Sequence, residues 1–217
     1  MKPDEAFKKL MEGNERFVKS KMERPHQDEK RRTQIAEEGQ EPFAIVAYCS
    51  DSRSPAEQIF DQGNGDIFGI RIAGHVIASD DALGSIQYAI EHTTARLVVV
   101  LGHTDCGAVK ATMAGGDIQG PVKSIVKTIQ PAVDAAKKKG GDVLNGAIQE
   151  HVKRSVELLR QQDFIKNAER CIEVVGAVYD LESGKVSTEG LTRFKIEGNG
   201  RSHKHDHGSD HKCCCKH

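Results

Sequence analysis

The sequence predicts an α/β fold in which a central, mostly parallel β-sheet is flanked by helices and preceded by an N-terminal helical arm. Short apolar runs at residues 43–48, 67–72 and 96–101 indicate buried strands, and stretches with helical spacing of apolar residues separate them. Strand, helix, strand, helix, strand is the pattern of a parallel sheet with right-handed crossovers. Ligands on such sheets bind beyond the carboxyl ends of the strands.

The first part of the chain predicts a helix, an exposed crossing and a strand. Apolar residues at helical spacing indicate an amphipathic helix over residues 4–19, and the polar residues 21–40 predict an extended crossing followed by a short exposed helix. After the first strand, the Ser-Pro-Ala-Glu run at residues 54–57 predicts a capped helix with proline at its first position. Residues 49–53 therefore form a loop between strand and helix.

Later elements follow the same signals. A Gly-Asn-Gly turn precedes the second strand, Asp80 predicts the cap of the next helix, and Asp105 predicts the cap of a helix that begins near Cys106. A thiol in the first turn of that helix should have a lowered pKa. The remaining elements are mostly helix over residues 121–168, a strand at residues 171–179 and a short strand at residues 191–196.

Length and composition narrow the class of protein. The chain has 217 residues and a formal net charge of -1. We expect one domain over residues 1–197, followed at residues 198–217 by a disordered tail rich in His and Cys. The balanced charge gives no reason to expect nucleic acid or an anionic membrane as a partner. No signal-peptide core or membrane span is visible, and the dispersed cysteines do not form a disulfide framework, so we expect a cytoplasmic protein.

The first and third strands both end in side chains that bind metals. Cys49, Asp51 and Arg53 follow the first strand, and residues two apart in extended backbone project to the same side. His103 and Cys106 follow the third strand. Two thiols and an imidazole suit zinc, and three protein ligands leave a fourth position for water, as in a catalytic zinc site. Each strand end alone would be ordinary, but together they predict a metal site.

Two further residues compete for the fourth ligand position. Cys171 opens a later strand, and we interpret it as a packed core residue. His75 lies just after the second strand, where a surface position or a role supporting the metal ligands is favoured over direct ligation.

These strand ends resemble the signature of the β-class carbonic anhydrases, in particular their plant-type subgroup. The resemblance extends from the first helix to about residue 179 and implies one zinc ion per subunit, held by Cys49, His103 and Cys106. It also implies reversible hydration of carbon dioxide to bicarbonate and a proton by zinc-bound hydroxide. The segments that carry it are Cys49-x-Asp51-x-Arg53 and Gly102-His103-x-x-Cys106-Gly107.

The same resemblance assigns the other site residues. Asp51 would accept a hydrogen bond from the hydroxide, and Arg53 would pair with that carboxylate. Subunits would form a homodimer or tetramer with active sites at the interface. Where many members have an asparagine, this chain has His75, a candidate proton shuttle. The residues assigned to the substrate pocket are Gln40, Phe68, Tyr88 and Gly107; without the family, Phe68 and Tyr88 would be core residues.

Two other functions stay open on the sequence alone. A relative of the same fold could hydrolyse carbon disulfide or carbonyl sulfide instead of hydrating carbon dioxide. Alternatively, the zinc could be structural, with function residing in the tail. Residues 203–217 are rich in histidine and cysteine, which predicts weak binding of additional zinc, nickel or copper ions; the plain alternative is an inert appendage.

Overall fold

The structure is a computed structural model and describes residues 1–199. It confirms the α/β class and the mostly parallel central sheet. Strands β2, β1, β3 and β4 lie side by side in that order and are all parallel, while β5 and β6 run antiparallel along the outer edge of β4. The strands are β1 (Ala44–Tyr48), β2 (Ile67–Arg71), β3 (Leu97–His103), β4 (Ile172–Tyr179), β5 (Val186–Ser187) and β6 (Arg193–Ile196).

Helices cover both faces of the sheet. The N-terminal helix is present, and the exposed helix that follows it has no buried residue, both as predicted. The helices are α1 (Pro3–Val18), α2 (Glu29–Glu38), α3 (Ala56–Ile59), α4 (Asp80–His92), α5 (Gly107–Ala114), α6 (Val122–Lys139), α7 (Val143–Gln161) and α8 (Asp163–Lys166), with a 3-10 turn at Ala73–His75. None of the helices within residues 1–199 combines the length and the apolar character needed to cross a membrane.

The central strand β1 shows how the core is divided. Its residues are all buried and alternate between two clusters because side chains of a strand point to opposite faces. Ala44, Val46 and Tyr48 pack with residues of α1 and α3, whereas Ile45 and Ala47 pack with residues of α4 and α7. Burial on both faces explains why this strand is a continuous apolar run.

Strand β2 is not the buried strand that its apolar run predicts. It lies at the edge of the sheet, and Ile70 is its one buried residue. Gly69 and Arg71 are exposed, and Phe68 is half-buried. An edge strand has a neighbouring strand on one side only. The other side of β2, with its apolar side chains, is therefore accessible at the surface.

The predicted helix caps were wrong in detail. The Ser54 hydroxyl donates to the carbonyl oxygens of Cys49 and Asp51 instead of capping α3, which is a single turn. The hydroxyl of Ser79, not Asp80, accepts a hydrogen bond from the backbone N–H of Ala82 at the start of α4. Ser79 and Asp80 both offer an oxygen at the start of α4, and the backbone path selects Ser79, whereas no side chain caps α3.

The predicted tail metal sites concern residues 203–217, which lie outside the described part of the chain. Up to Asn199 the backbone is packed on the domain, since the Asn199 N–H donates to the Ala168 carbonyl at 3.1 Å.

Candidate metal centre

Two neighbouring strand ends bring the predicted ligands together. Strands β1 and β3 pair with Tyr48 opposite Leu101, so Cys49 and His103 leave the sheet at the same edge. Cys106 immediately precedes α5, one short turn further on. The ligating atoms of Cys49, His103 and Cys106 all lie within 4.8 Å of one another, and all three residues are buried.

The imidazole of His103 is arranged to bind a metal. Its Nδ1 lies 2.8 Å from the carbonyl oxygen of Thr104. A carbonyl only accepts, so Nδ1 carries the proton and Nε2 presents a lone pair. Nε2 is buried and has no hydrogen-bond partner within the described residues. A buried, unpartnered lone pair beside two cysteine sulfurs fits a tetrahedral zinc ligand set.

The two thiols share a proton unequally. The hydrogen bond from Cys106 lowers the pKa of Cys49, and the backbone N–H groups of Asp51 and Gly74 donate to the same sulfur at 3.4 and 3.2 Å. The pKa of Cys106 is raised by its bond to Cys49 and by burial, contrary to the expectation from the helix N-terminus. Cys106 sits at the N-cap position, where the N–H groups of α5 do lower its pKa, but by less. A divalent cation between the sulfurs would displace the shared proton.

Arg53 hydrogen-bonds to both oxygens of the Asp51 carboxylate. Its Nε donates to Oδ1 at 3.0 Å and its Nη2 to Oδ2 at 2.8 Å, while its backbone N–H donates to Oδ1 at 2.9 Å. The guanidinium holds the pKa of Asp51 well below its usual range. Asp51 Oδ2 lies 3.9 Å from His103 Nε2, which places the carboxylate beside the metal-ligating atoms.

Two charged residues support this pair. Asp105 has a left-handed backbone with φ of 60° and does not cap α5; it accepts from Arg53 at 3.4 Å and pairs with Lys110. Arg71, which the sequence analysis missed, donates to the carbonyls of Asp51 at 2.9 Å and Cys49 at 3.4 Å. Its position near the end of the second apolar run was the available signal, since ligands bind beyond the carboxyl ends of such strands.

Comparison with known proteins identifies the family. Residues 44–186 match the family model for carbonic anhydrase. The chain is 40% identical over 190 residues to carbonic anhydrase 2 of Mycobacterium tuberculosis, covering 84% of this chain and 91% of that protein. The solved β-carbonic anhydrase CafA of Aspergillus fumigatus is 26% identical, with a TM-score of 0.64 over 74% of this chain and 86% of that one. The chain belongs to the β-carbonic anhydrase family.

The fold of this carbonic anhydrase also matches more distant members. A β-carbonic anhydrase structure from Sordaria macrospora superposes with a TM-score of 0.66 at 23% identity, covering 73% of this chain and 85% of that one. Family membership confirms the resemblance and the enzyme class predicted from the strand ends. The finer plant-type assignment stays a prediction.

Three of the four predicted pocket residues, Gln40, Phe68 and Tyr88, lie away from the strand ends that carry the metal ligands of this carbonic anhydrase. Phe68 and Tyr88 are neighbours, with ring centroids 6.3 Å apart, but Tyr88 is 53% exposed. Phe68 pairs with Ile45, four residues before Cys49, which corresponds to about 13 Å along the strand. Gln40 is an exposed loop residue.

Gly107 is the one pocket residue beside the metal ligands of the same chain. It is the first residue of α5, immediately after Cys106, and a Cβ there would meet no atom within 4 Å. The space over the helix start is therefore open.

His75 is not at the surface. It is 2% exposed, its ring lies 4.3 Å from that of His151, and neither of its ring nitrogens has a hydrogen-bond partner within the described residues. Burial lowers its pKa well below the usual value. A proton shuttle needs contact with solvent and a pKa near the working pH, so the shuttle interpretation is wrong. Cys171 is buried at the opposite edge of the sheet, just before β4, as expected for a core residue.

Proposed function

We propose that this enzyme hydrates carbon dioxide reversibly to bicarbonate and a proton, with one zinc ion per subunit held by Cys49, His103 and Cys106. The observation that carries the proposal is the buried donor set with the free Nε2 of His103, next to the Asp51 carboxylate. Zinc, when bound, lowers the pKa of a coordinated water from 15.7 to about 7 and so supplies a nucleophile at neutral pH.

Asp51 and Arg53 are the proposed catalytic pair. As a carboxylate, Asp51 accepts the hydrogen of the nucleophile and directs its lone pair at the substrate carbon. Its bidentate bonds with Arg53 hold both oxygens in place and oppose a swing of the carboxylate onto the metal. Because these are charge-assisted bonds in a fixed fork, Arg53 sets the direction as well as the charge of its partner.

The substrate pocket is proposed to form between two copies of the chain. Phe68 and Tyr88 lie on and beside the exposed edge strand β2, where a second copy can approach. The Sordaria macrospora enzymes are described as tetrameric, which supports a homodimer or tetramer here. In that assembly Gln40 donates a hydrogen bond to the forming bicarbonate, Phe68 and Tyr88 supply an apolar wall suited to an uncharged gas, and Gly107 leaves space above α5. In this proposal Cys49 and Cys106 act as metal ligands rather than as a disulfide, which supports a cytoplasmic location.

The test is stopped-flow hydration of carbon dioxide at pH 7 and pH 8.5 on protein of measured zinc content, beside Asp51→Ala. We expect fast, zinc-dependent hydration that the variant loses. A zinc-loaded protein that does not hydrate carbon dioxide would remove the proposal. Carbonyl sulfide and carbon disulfide, assayed on the same samples, would then distinguish a sulfur-gas hydrolase from a structural zinc protein.

The tail is proposed to bind additional metal ions. Residues 203–217 contain histidines and consecutive cysteines, which suit zinc, nickel or copper. Equilibrium dialysis of the full chain against zinc should give more than one ion per subunit, and truncation after Gly198 should reduce uptake to one. Equal uptake by both proteins would exclude a metal-binding tail.

A further inference from the structure

A buried histidine on α7 is connected to the metal site through one glycine. We infer that His151 is a positioning residue for the zinc ligand Cys49, acting through the backbone of Gly74. The inference rests on the proposed zinc site but concerns residues that lie behind the ligands rather than among them.

Gly74 contacts both partners through its own backbone. Its N–H donates to Cys49 Sγ at 3.2 Å, and its carbonyl oxygen lies 3.0 Å from His151 Nε2. A carbonyl only accepts, so Nε2 of His151 carries the proton and donates. The two hydrogen bonds fix the orientation of Gly74 from opposite ends. The direction of the Gly74 N–H toward Cys49 Sγ therefore depends on His151.

Gly74 is closely packed and leaves no room for a side chain. Its φ of 65° lies in the left-handed region, which glycine adopts without strain. A Cβ at this position would lie 2.9 Å from Ile129 Cδ1 and 3.0 Å from Ala108 Cβ, closer than packed carbons allow. Side chains of α5 and α6 therefore hold Gly74 from the outside while His151 holds its carbonyl.

The position of His151 follows from the packing of α7 on the sheet. The next residue, Val152, fits against two glycines: a Cβ on Gly102 would lie 2.7 Å from Val152 Cγ2, and one on Gly176 would lie 2.9 Å from Val152 Cγ1. The missing side chains on β3 and β4 let the helix approach closely. This close packing buries His151, which is 2% exposed, against the turn that contains Gly74.

His75 holds the ring of His151 in place. The two rings lie 4.3 Å apart with an interplanar angle of 34°. Neither ring nitrogen of His75 has a hydrogen-bond partner within residues 1–199, so the ring does not compete for the Gly74 carbonyl. Burial lowers the pKa of both imidazoles, so both are neutral at neutral pH and His151 keeps a single N–H.

This arrangement affects the metal ligand directly. A hydrogen bond to a thiolate stabilises its charge and fixes the direction of its lone pairs. Partners behind metal ligands change metal affinity or activity by about 10–100-fold when removed. Because His151 acts through a backbone group, we expect the lower end of that range.

The experiment compares three variants with matched packing. His151→Phe keeps a ring but removes the donor, and His151→Gln restores an N–H donor. Ser155→Ala truncates another buried polar residue one turn further along α7 and serves as control. Each full-length zinc protein is mixed with a chromophoric chelator to measure zinc release, and each cobalt-substituted protein gives the thiolate-to-cobalt charge-transfer band.

We expect His151→Phe to release zinc about tenfold faster and to shift the charge-transfer band, with His151→Gln close to the original protein on both measurements. Ser155→Ala should change neither. A folded His151→Phe protein with the original release rate and band would overturn the inference. So would a His151→Gln protein as impaired as His151→Phe, because packing alone would then explain the loss.

A measurement on the unaltered protein covers the case in which a variant does not fold. Side-chain ¹⁵N shifts report the tautomer of each histidine, and the inference requires His151 to carry its proton on Nε2. A proton on Nδ1 would overturn it. If the unaltered protein takes up no zinc at all, the proposed function fails instead, and the tautomer result is unaffected.

Discussion

The two halves of the proposed site, a metal half and a pocket half, differ in how much of each a single chain provides. The metal half, with Cys49, His103 and Cys106, is buried and complete at the adjacent ends of β1 and β3. The pocket half, with Phe68 and Tyr88, lies at the sheet edge, one aromatic ring half-exposed and the other largely so. A metal site needs atoms placed to a fraction of an ångström, which a single sheet supplies. A wall for a small apolar gas needs only surface, which a second copy can bring.

The largest effect tests whether the metal half is complete in one chain. Cys49→Ala should lose its zinc and reduce carbon dioxide hydration to background, since two remaining ligands hold the ion weakly. Zinc analysis and stopped-flow assays check this, with Cys171→Ala as the matched buried-cysteine control. A chelator should lower the melting temperature of the original protein but not that of Cys49→Ala. One zinc per subunit in Cys49→Ala would show that the ligand set is wrong.

The next largest expected effect is the pH dependence of stability that comes from His151, the buried histidine behind the metal ligand Cys49. Burial lowers the pKa of His151 from its usual value of 6.5 to about 4. Between those pH values the unfolded chain binds more protons, so stability rises with pH and is lost as pH falls from 6.5 toward 4. We expect this histidine to contribute about 2 kcal/mol to the fall in unfolding free energy between pH 6.5 and pH 5.

Denaturant titrations at several pH values measure this contribution. His151→Gln does not titrate in that window, so its stability should fall less steeply than that of the original protein. His92→Gln removes an exposed histidine and is the control for the loss of an imidazole. Identical slopes for His151→Gln and the original protein would contradict the assignment of a neutral, buried imidazole.

A smaller expected effect separates two contributions of Arg53 to the proposed catalytic pair: its positive charge and the direction of its hydrogen bonds to Asp51. Arg53→Lys keeps the positive charge but loses the bidentate fork, so we expect kcat to fall about tenfold while zinc content stays unchanged. Arg32→Lys alters an exposed ion pair on α2 and should have no effect. Unchanged kcat in Arg53→Lys would mean that charge alone suffices.

The smallest effect tests the pocket half. Tyr88→Ala should lower kcat/KM about fivefold, equivalent to roughly 1 kcal/mol of lost apolar contact, with zinc retained. Val122→Ser, at a similarly exposed apolar residue, is the control. Mixed assemblies of Tyr88→Ala and Asp51→Ala subunits should exceed the activity of either parent, because one site then combines two intact halves. No gain on mixing would place both halves in the same chain.

The fold class and the metal half follow from local patterns. A buried strand that ends in Cys49-x-Asp51, and another that ends in His103, fix the sheet edge at which ligands must lie. The stripe of Leu144, Ile148, Val152, Val156 and Leu159 likewise predicts the buried face of α7; the last four are buried and Leu144 is half-buried. These features depend on neighbours a few residues apart, which a sequence displays directly.

The remainder depends on residues distant in sequence. His151 lies within the apolar stripe of α7, and its partner Gly74 is 77 residues away, so no spacing links them. The apolar run at β2 does not reveal that the strand lies at the edge of the sheet. An edge strand that another chain covers carries the same kinds of residues as a strand buried within one chain. The predicted cap of α4 was wrong because the adjacent Ser79 and Asp80 offer equivalent oxygens.

The unequal edges of the sheet also limit how copies of this enzyme can join. Along β4 the outer positions are taken by two short strands, and β6 presents Arg193 and Lys195, paired with Asp4, features that discourage further strand addition. On the β2 edge the one charged residue is Arg71 at the last position, and its guanidinium is bound to the carbonyls of Asp51 and Cys49. With one edge available, each molecule can add one partner along the sheet. A pairing of β2 with the β2 of a second copy is self-complementary and uses both available edges, so the sheet can double but cannot grow into a fibre.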